Sequence, residues 1–422
     1  MSKVNDGLTK RGKSWSYVIR VIDPVTGKSK PKWVGGFPTE KAAKEARDDA
    51  RRASSRGEYV EKSRITVEQY LTGWLDGHAM EIKPSTLAGY RDWLARYVFP
   101  RIGSMRLQAV RSATLTSMYR ELSTSGGKGG KGLSSRSVEY INAILRKALN
   151  DAVIADNLIP SNPCTAAKRP RREIKPVGTI WSGSELRSFL GWAETHRLYG
   201  FFRLSAFSGA RRGELLFLRW ADVDWKTPAI HIRGTAGMVD GKRAEGTPKS
   251  GRERTVSLDP DTMAVLREHR GRQRAERDIA GAAWTESDYV FTTGLGLPVP
   301  PDTVTNLMAV LIRQFNMPAI PGTRKTPRQE LPRPVNPLPP ARLHDLRHVH
   351  ATMLLTAGVP VHVVAERLGH ADPAITLRVY AHVIRKSADG VAATFAAAVS
   401  AEIEVEDQGD EDDPGTPAVV AC

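Results

Sequence analysis

Apolar positions recur at helical spacing along most of this chain, and at strand spacing only near the start and in one central stretch. Trp15, Tyr17, Ile19 and Val21 alternate with Ser16, Val18 and Arg20, the period-two pattern of a half-buried strand. Asp23-Pro24-Val25-Thr26-Gly27 is turn chemistry, residues 30–34 read as a second strand, and the run from Thr39 is rich in helix formers. From Thr66 the pattern changes. Thr66 and Gln69 have capping-box spacing, and Val67, Tyr70, Leu71 and Trp74 form an apolar face. Further helices are predicted from Pro84, over 113–122, and along the stretch marked by Val138, Ile141, Leu145, Leu149 and Ala152. Together they predict a four-helix unit ending near Asn157, with a flexible glycine-rich loop at 125–132. Pro160, Pro163, Pro170 and Pro176 prevent a continuous helix and predict a linker. Ser182 and Glu185 open the last unit, helical through Leu218, with strand-like pieces at 229–232 and 254–258. The prolines of 318–340 predict a surface loop.

Charge changes the picture from fold to partner. The 422 residues carry a formal net charge of +16, although residues 401–422 hold eight acids and no Lys or Arg. The rest is therefore more basic still, and a polyanion, most commonly nucleic acid, is the expected partner; a merely soluble basic protein is the alternative. Lys13 and Lys30 lie in the N-terminal strand region, and Lys168, Arg169, Arg171 and Arg172 make the linker basic enough to follow a phosphate backbone. The acidic tail is expected to be disordered. No apolar run is long enough to span a membrane, the first residues lack the apolar core of a signal peptide, and Cys164 and Cys422 suggest no disulfide framework. A cytosolic protein is expected.

The candidate chemistry lies in the last unit. In LHDLRHVHATMLLTAGVPVHVVAERLGHADPAITLRVY (343–380), His344 and Arg347 share a helix face. Leu343, Leu346, Met353, Leu354 and Ala357 form the expected buried stripe, and Gly358 is a helix stop. His370 and Tyr380 follow. Upstream, Glu214 stands three residues after Arg211, placed to orient its guanidinium, and Thr247-Pro248-Lys249-Ser250-Gly251-Arg252 reads as a hairpin tip carrying a lysine. His344 and His348 have zinc-ligand spacing, but no acid or cysteine cluster completes a site. His348, His350 and His362 read as packing or DNA-contact residues, and Trp220 and Trp225 as core.

The order Arg, Lys, His-x-x-Arg, Gly-His, Tyr resembles the tyrosine recombinases, or phage integrase family. GARRGELLFLRWADVD is similar to the first arginine box, HDLRHVHAT to the second, and LGHADPAITLRVYAHV to the tyrosine box. KPSTLAGY and RIGSMRLQAV resemble the helical core-binding domain, and the first sixty residues resemble an arm-binding domain. The resemblance implies a multidomain, mainly α protein: a small α+β arm-type domain (1–60), a helical core-binding domain (64–160), a basic linker (161–178), a mixed, mostly helical α/β catalytic domain (179–400) and an acidic tail (401–422). It implies Arg211, Lys249, His344, Arg347, His370 and Tyr380 as the catalytic set, with Glu214 in support; the Gly-x-Arg-x-x-Glu spacing selects Arg211 over Arg212.

On this view Tyr380 attacks a phosphodiester to give a 3′-phosphotyrosyl link and a free 5′ hydroxyl, and calls for neither cofactor nor metal. Arg211, Arg347 and His370 hold the transition-state charge, and Lys249 is the acid. His344 is the base, and the arginines lower the tyrosine pKa. The partners implied are double-stranded DNA attachment sites, a homotetramer on DNA, and a host bending factor or an excisionase. A resolvase or invertase of the same family, a relaxing topoisomerase and a non-catalytic DNA-binding regulator are the competing readings.

Overall fold

The computed structural model describes residues 7–22, 29–55, 59–171, 180–249, 251–317, 319–320, 329–330, 336–374, 376–377, 380, 395–396 and 399. The predicted turn at 23–27, most of the proline-rich stretch, Arg172 and the acidic tail lie outside them. The chain divides into two compact units, residues 1–174 and 175–422.

The first unit opens with an antiparallel sheet of β1 (Leu8–Arg11), β2 (Ser14–Ile22) and β3 (Ser29–Phe37), covered by α1 (Glu40–Ser55). Leu8, Tyr17 and Ile19 pack on Ala43 and Ala50 of that helix. Ser16 departs from the predicted alternation. The register slips between Trp15 and Tyr17, a bulge that turns Ser16 inward, where it is buried. Gly35 lies so close that a Cβ would meet the Ser16 hydroxyl at 2.8 Å. Lys13 is exposed on the β1–β2 turn and Lys30 on β3.

The helical part of this unit comprises α2 (Val67–His78), α3 (Pro84–Trp93), α4 (Phe99–Ile102), α5 (Ser112–Ser125) and α6 (Ser135–Ile154). Thr66 and Gln69 cap α2 reciprocally, as their spacing predicts. A π-helical turn at Leu94–Val98 joins α3 to α4, where Pro100 has no N–H to continue the ladder. Leu71, Leu94, Leu115, Leu122, Ile141 and Leu145 form the centre of the core. The glycine-rich loop closes back on α5, with the Leu133 N–H donating to the Leu122 carbonyl at 2.8 Å. The linker differs from expectation in its first half. Cys164 and Ala167 are buried in the helical core, and Ser112 donates to the Pro163 carbonyl at 2.8 Å. Lys168, Arg169 and Arg171 are exposed just beyond.

The second unit begins with α7 (Gly183–Ala193), whose Ser182–Glu185 capping box is formed. α8 (Tyr199–Ser208) and the short α9 (Arg212–Phe217) follow. β4 (Val223–Asp224), β5 (Ala229–Ile232) and β8 (Arg254–Ser257) make a three-stranded antiparallel sheet, with Ile230 opposite Val256. β6 (Thr235–Val239) and β7 (Lys242–Gly246) form a separate hairpin. Its turn residues Asp240 and Gly241 have φ of 50° and 74°, the conformation that Asp-Gly favours in two-residue hairpins. α10 (Pro260–Ala280), α11 (Pro301–Asn316), α12 (Asp345–Thr356) and α13 (Val361–Leu368) complete the unit. Phe189, Phe201, Phe202 and Phe291 centre its main core. Among the described residues, no helix is long and apolar enough to cross a membrane.

Candidate active site

Two glycines bring the site together. α8 ends at Gly209 (φ 63°) and α13 at Gly369 (φ 67°), both left-handed caps. Side chains are excluded at both positions. A Cβ on Gly209 would meet the His350 ring at 2.7 Å, and one on Gly369 would meet the Arg254 guanidinium at 2.7 Å. What the two turns present instead is carbonyl oxygen. Arg347, on α12 and only 3% exposed, donates to Gly209 O and to Leu368 O, each at 2.7 Å. Arg211 donates to Gly369 O at 3.2 Å.

Glu214 anchors the other side. It is 1% exposed, and its carboxylate accepts from the Arg211 backbone N–H at 2.9 Å and from the Arg211 guanidinium at 2.9 Å. It also accepts from Arg254 at 2.7 and 3.3 Å. Burial by itself would raise its pKa, but the hydrogen bonds and charges of Arg254 and Arg211 outweigh that and hold it below the ordinary carboxylate value. Arg347 is likewise pushed below its usual range, to about 9, by burial and by the neighbouring Arg211. Two guanidiniums thus share one carboxylate and a third, that of Arg347, is held by carbonyls alone; the excess positive charge suits an incoming anion.

The histidines and the tyrosine border this cluster. His370 is half-buried, with Nδ1 at 2.7 Å from Thr376 Oγ1. Burial, then Arg347 and Arg211, push its pKa down to about 4. A neutral His370 whose Nδ1 accepts the Thr376 hydroxyl carries its proton on Nε2, free to donate. His344 stands at the N-cap position of α12, its ring nearly perpendicular to that of His348 with centroids 5.2 Å apart; its pKa is lowered by burial and by the neighbouring His348 and Arg347. Tyr380 is 1% exposed and packs with Ala351, Leu355, Val364 and Leu368. Its hydroxyl lies 2.7 Å from Nδ1 of His348.

The structure therefore brings Arg211, Glu214, His344, Arg347, His370 and Tyr380 to one place. Lys249 stands apart from that description. The Gly251 N–H donates to the Pro248 carbonyl at 3.0 Å, and the stretch joins β7 to β8 of a different sheet, so Lys249 is not on a hairpin tip. Lys249 is exposed there. Arg212 turns away to α11, donating to Thr305 Oγ1 at 2.8 Å and Pro301 O at 3.3 Å.

Other expectations change. The arginines do not lower the tyrosine pKa on balance. Burial pushes it up to about 12, and Arg347 offsets only part of this. His348, read as a packing or DNA-contact residue, holds the phenol, whereas His350 is structural, bonded to Ala206 O and Arg367. The stripe of α12 is carried by Leu346, Val349, Ala351 and Leu355, with Met353 and Leu354 only partly buried. Arg254 and Thr376 escaped sequence reasoning, because a strand-initial arginine and a lone threonine carry no spacing signal.

Comparison with known proteins decides the family. Residues 182–386 match the model of the phage integrase family, residues 8–50 an arm DNA-binding domain, and residues 66–123 the N-terminal SAM-like domain of phage integrases. The chain belongs to the phage integrase family. It is a tyrosine-type site-specific DNA recombinase by that membership. A tyrosine recombinase XerC-like protein of Caldanaerobacter subterraneus is 27% identical over 368 residues, 82% of this chain and 87% of that one. The ICEBs1 integrase of Bacillus subtilis is 23% identical, over 86% and 90% of the two chains. The integrase of the Tn1549 transposon, solved with transposon right end DNA, superposes with a TM-score of 0.61 at 19% identity, covering 78% of this chain and 99% of that one. A lambda integrase tetramer bound to a Holliday junction gives 0.53 at 16% identity, covering 90% and 96%. Such identities speak to the fold, which is the multidomain, mainly α architecture of these integrases.

Proposed function

We propose that this recombinase is an integrase that cuts and rejoins DNA through Tyr380, joining a phage or other mobile element to a bacterial chromosome. The observation that carries the reading is the cluster itself: a buried phenol beside guanidiniums that one carboxylate only partly neutralises. A phosphodiester is anionic and gains charge on its non-bridging oxygens during attack. Arg211 and Arg347, held rigid by Glu214 and by the Gly209, Leu368 and Gly369 carbonyls, offer fork-shaped donors to that charge. His370 adds a neutral donor. Lys249, on its exposed turn, protonates the departing 5′ oxygen once DNA is bound. The ester to Tyr380 retains the bond energy, so a second 5′ hydroxyl reverses the step on a new strand.

The remaining assignments follow the same reading. Residues 1–60 bind arm-type sites, 64–160 the core site, 161–178 link the two grips, and 179–400 hold the chemistry, in a tetramer on paired duplexes in the bacterial cytosol. Lys13, Lys30, Lys168, Arg169, Arg171 and Arg172 are assigned to contact with the DNA phosphates. The N-terminal sheet and helix, matching an arm-binding model, favour an integrase over a resolvase or invertase of the same family. A duplex nicked beside the scissile phosphate tests the reading. The wild-type chain becomes covalently trapped on its site and Tyr380→Phe does not; binding without any trapped product would leave a DNA-binding regulator.

A further inference from the structure

Resting on that recombinase reading, we propose that His348, which lies outside the family's catalytic pattern, is the base that takes the proton of Tyr380, leaving His344 to the phosphate. The geometry is specific. His348 Nδ1 lies 2.7 Å from the phenolic oxygen, with ring centroids 5.8 Å apart and planes at 60°. Tyr380 is almost fully buried, so little water competes for its proton. His344 stands one helical turn earlier, its ring nearly perpendicular to that of His348, and the phenol's hydrogen bond is made to His348.

Tyr380 needs a resident base. A phenol desolvated in this position resists ionisation. Asp345, Arg347, Arg342, His344 and His370 surround His348, and burial together with the arginines outweighs Asp345 to keep its ring neutral near pH 7. Asp345 is itself held by Arg342 at 2.8 and 2.9 Å. A neutral ring with its proton on Nε2 leaves the Nδ1 lone pair for the phenol.

The step balances. The Tyr380 oxygen bonds to phosphorus as its proton passes to His348 Nδ1, and the bond from phosphorus to the 5′ oxygen breaks, that oxygen taking a proton from Lys249. In the reverse step the attacking 5′ hydroxyl gives its proton back to Lys249, and the imidazolium formed beside Asp345 returns its proton to the phenol.

The test uses the full chain on a nicked duplex, its site recovered by covalent capture from random duplexes, with sulfur replacing the bridging 5′ oxygen. Sulfur leaves without a proton, so the acid drops out and the rate reports attack alone. His348→Ala is expected to form the adduct about 10²–10⁴-fold more slowly at neutral pH. Its rate should climb steadily with pH where the wild type has levelled, and added imidazole should restore part of it. His344→Ala should be slower without either signature. His348→Asn keeps an acceptor but cannot take a proton, so it should show the same loss of rate, and it carries the test if the alanine variant folds poorly. A rate for His348→Asn within about threefold of wild type overturns the assignment, as do the pH and imidazole signatures appearing in His344→Ala instead. A wild-type chain that yields no tyrosine-linked product overturns the recombinase reading itself, and this assignment with it.

Discussion

In the helical part of the first unit, each buried phenol has partners of its own. Tyr119 pairs with Asn142 at 3.1 Å, and Tyr70 with Asp156 at 2.8 Å. Around Glu214 the partner is shared, with one carboxylate between two guanidiniums and a third guanidinium held only by carbonyls. The first arrangement satisfies itself. The second is rigid but electrostatically incomplete, and completeness arrives with an anion. A folding core minimises unpaired charge; a phosphate site preserves it, and tolerates the cost because every donor already held in place needs no reorganisation during the reaction.

The comparison breaks most visibly at the nucleophile. Tyr380→Phe removes one hydroxyl from an otherwise apolar nest, so stability should change by only about 1 kcal/mol while covalent adduct disappears. Denaturing gels of trapped product and thermal melts report the two, and residual adduct would place the nucleophile elsewhere. Arg347→Lys comes next. A single ammonium does not span the Gly209 and Leu368 carbonyls, and cleavage is expected to fall about 10²–10³-fold with DNA retention in gel shifts largely kept. Near-wild-type rates would show that a point charge suffices.

Glu214→Gln leaves two partly buried guanidiniums without their counter-charge, at a cost of about 3 kcal/mol in denaturant unfolding. It also carries a pH signature. The folded pKa of Glu214 lies below its unfolded value, so its contribution is complete above the unfolded value and is lost as pH falls through the folded one. The wild type should therefore lose stability in that acid window and Glu214→Gln should lose less; equal acid sensitivity would remove Glu214 as the anchor. The smallest effect belongs to the matched pair. Tyr119→Phe should cost about 1 kcal/mol, with the adduct rate of the folded protein unchanged. A large change in that rate would mean the helical core is not independent of the chemistry.

How much was legible follows from the range of each interaction. The caps at Thr66 and Ser182 involve residues three apart, and both are formed where their spacing predicts. The choice of Arg211 over Arg212 rested on the same local spacing, and Arg212 proves to be tied to α11. The lysine turn was misread because hairpin chemistry resembles any Pro-Gly turn, while the true hairpin carries Asp240-Gly241. Prolines suggested an open linker from 160, but buried contacts of Cys164 and Ala167 override that signal.

The order and spacing of residues alone determined the family, the helical character and the candidate set of arginines, histidines and tyrosine, because those depend on neighbours along the chain. Only the tertiary structure decided that Arg254 shares Glu214, that His348 rather than His344 meets the phenol, and that burial raises the Tyr380 pKa. Those outcomes depend on α8, β8, α12 and α13 converging, and desolvation and long-range hydrogen bonds have no signature in linear spacing.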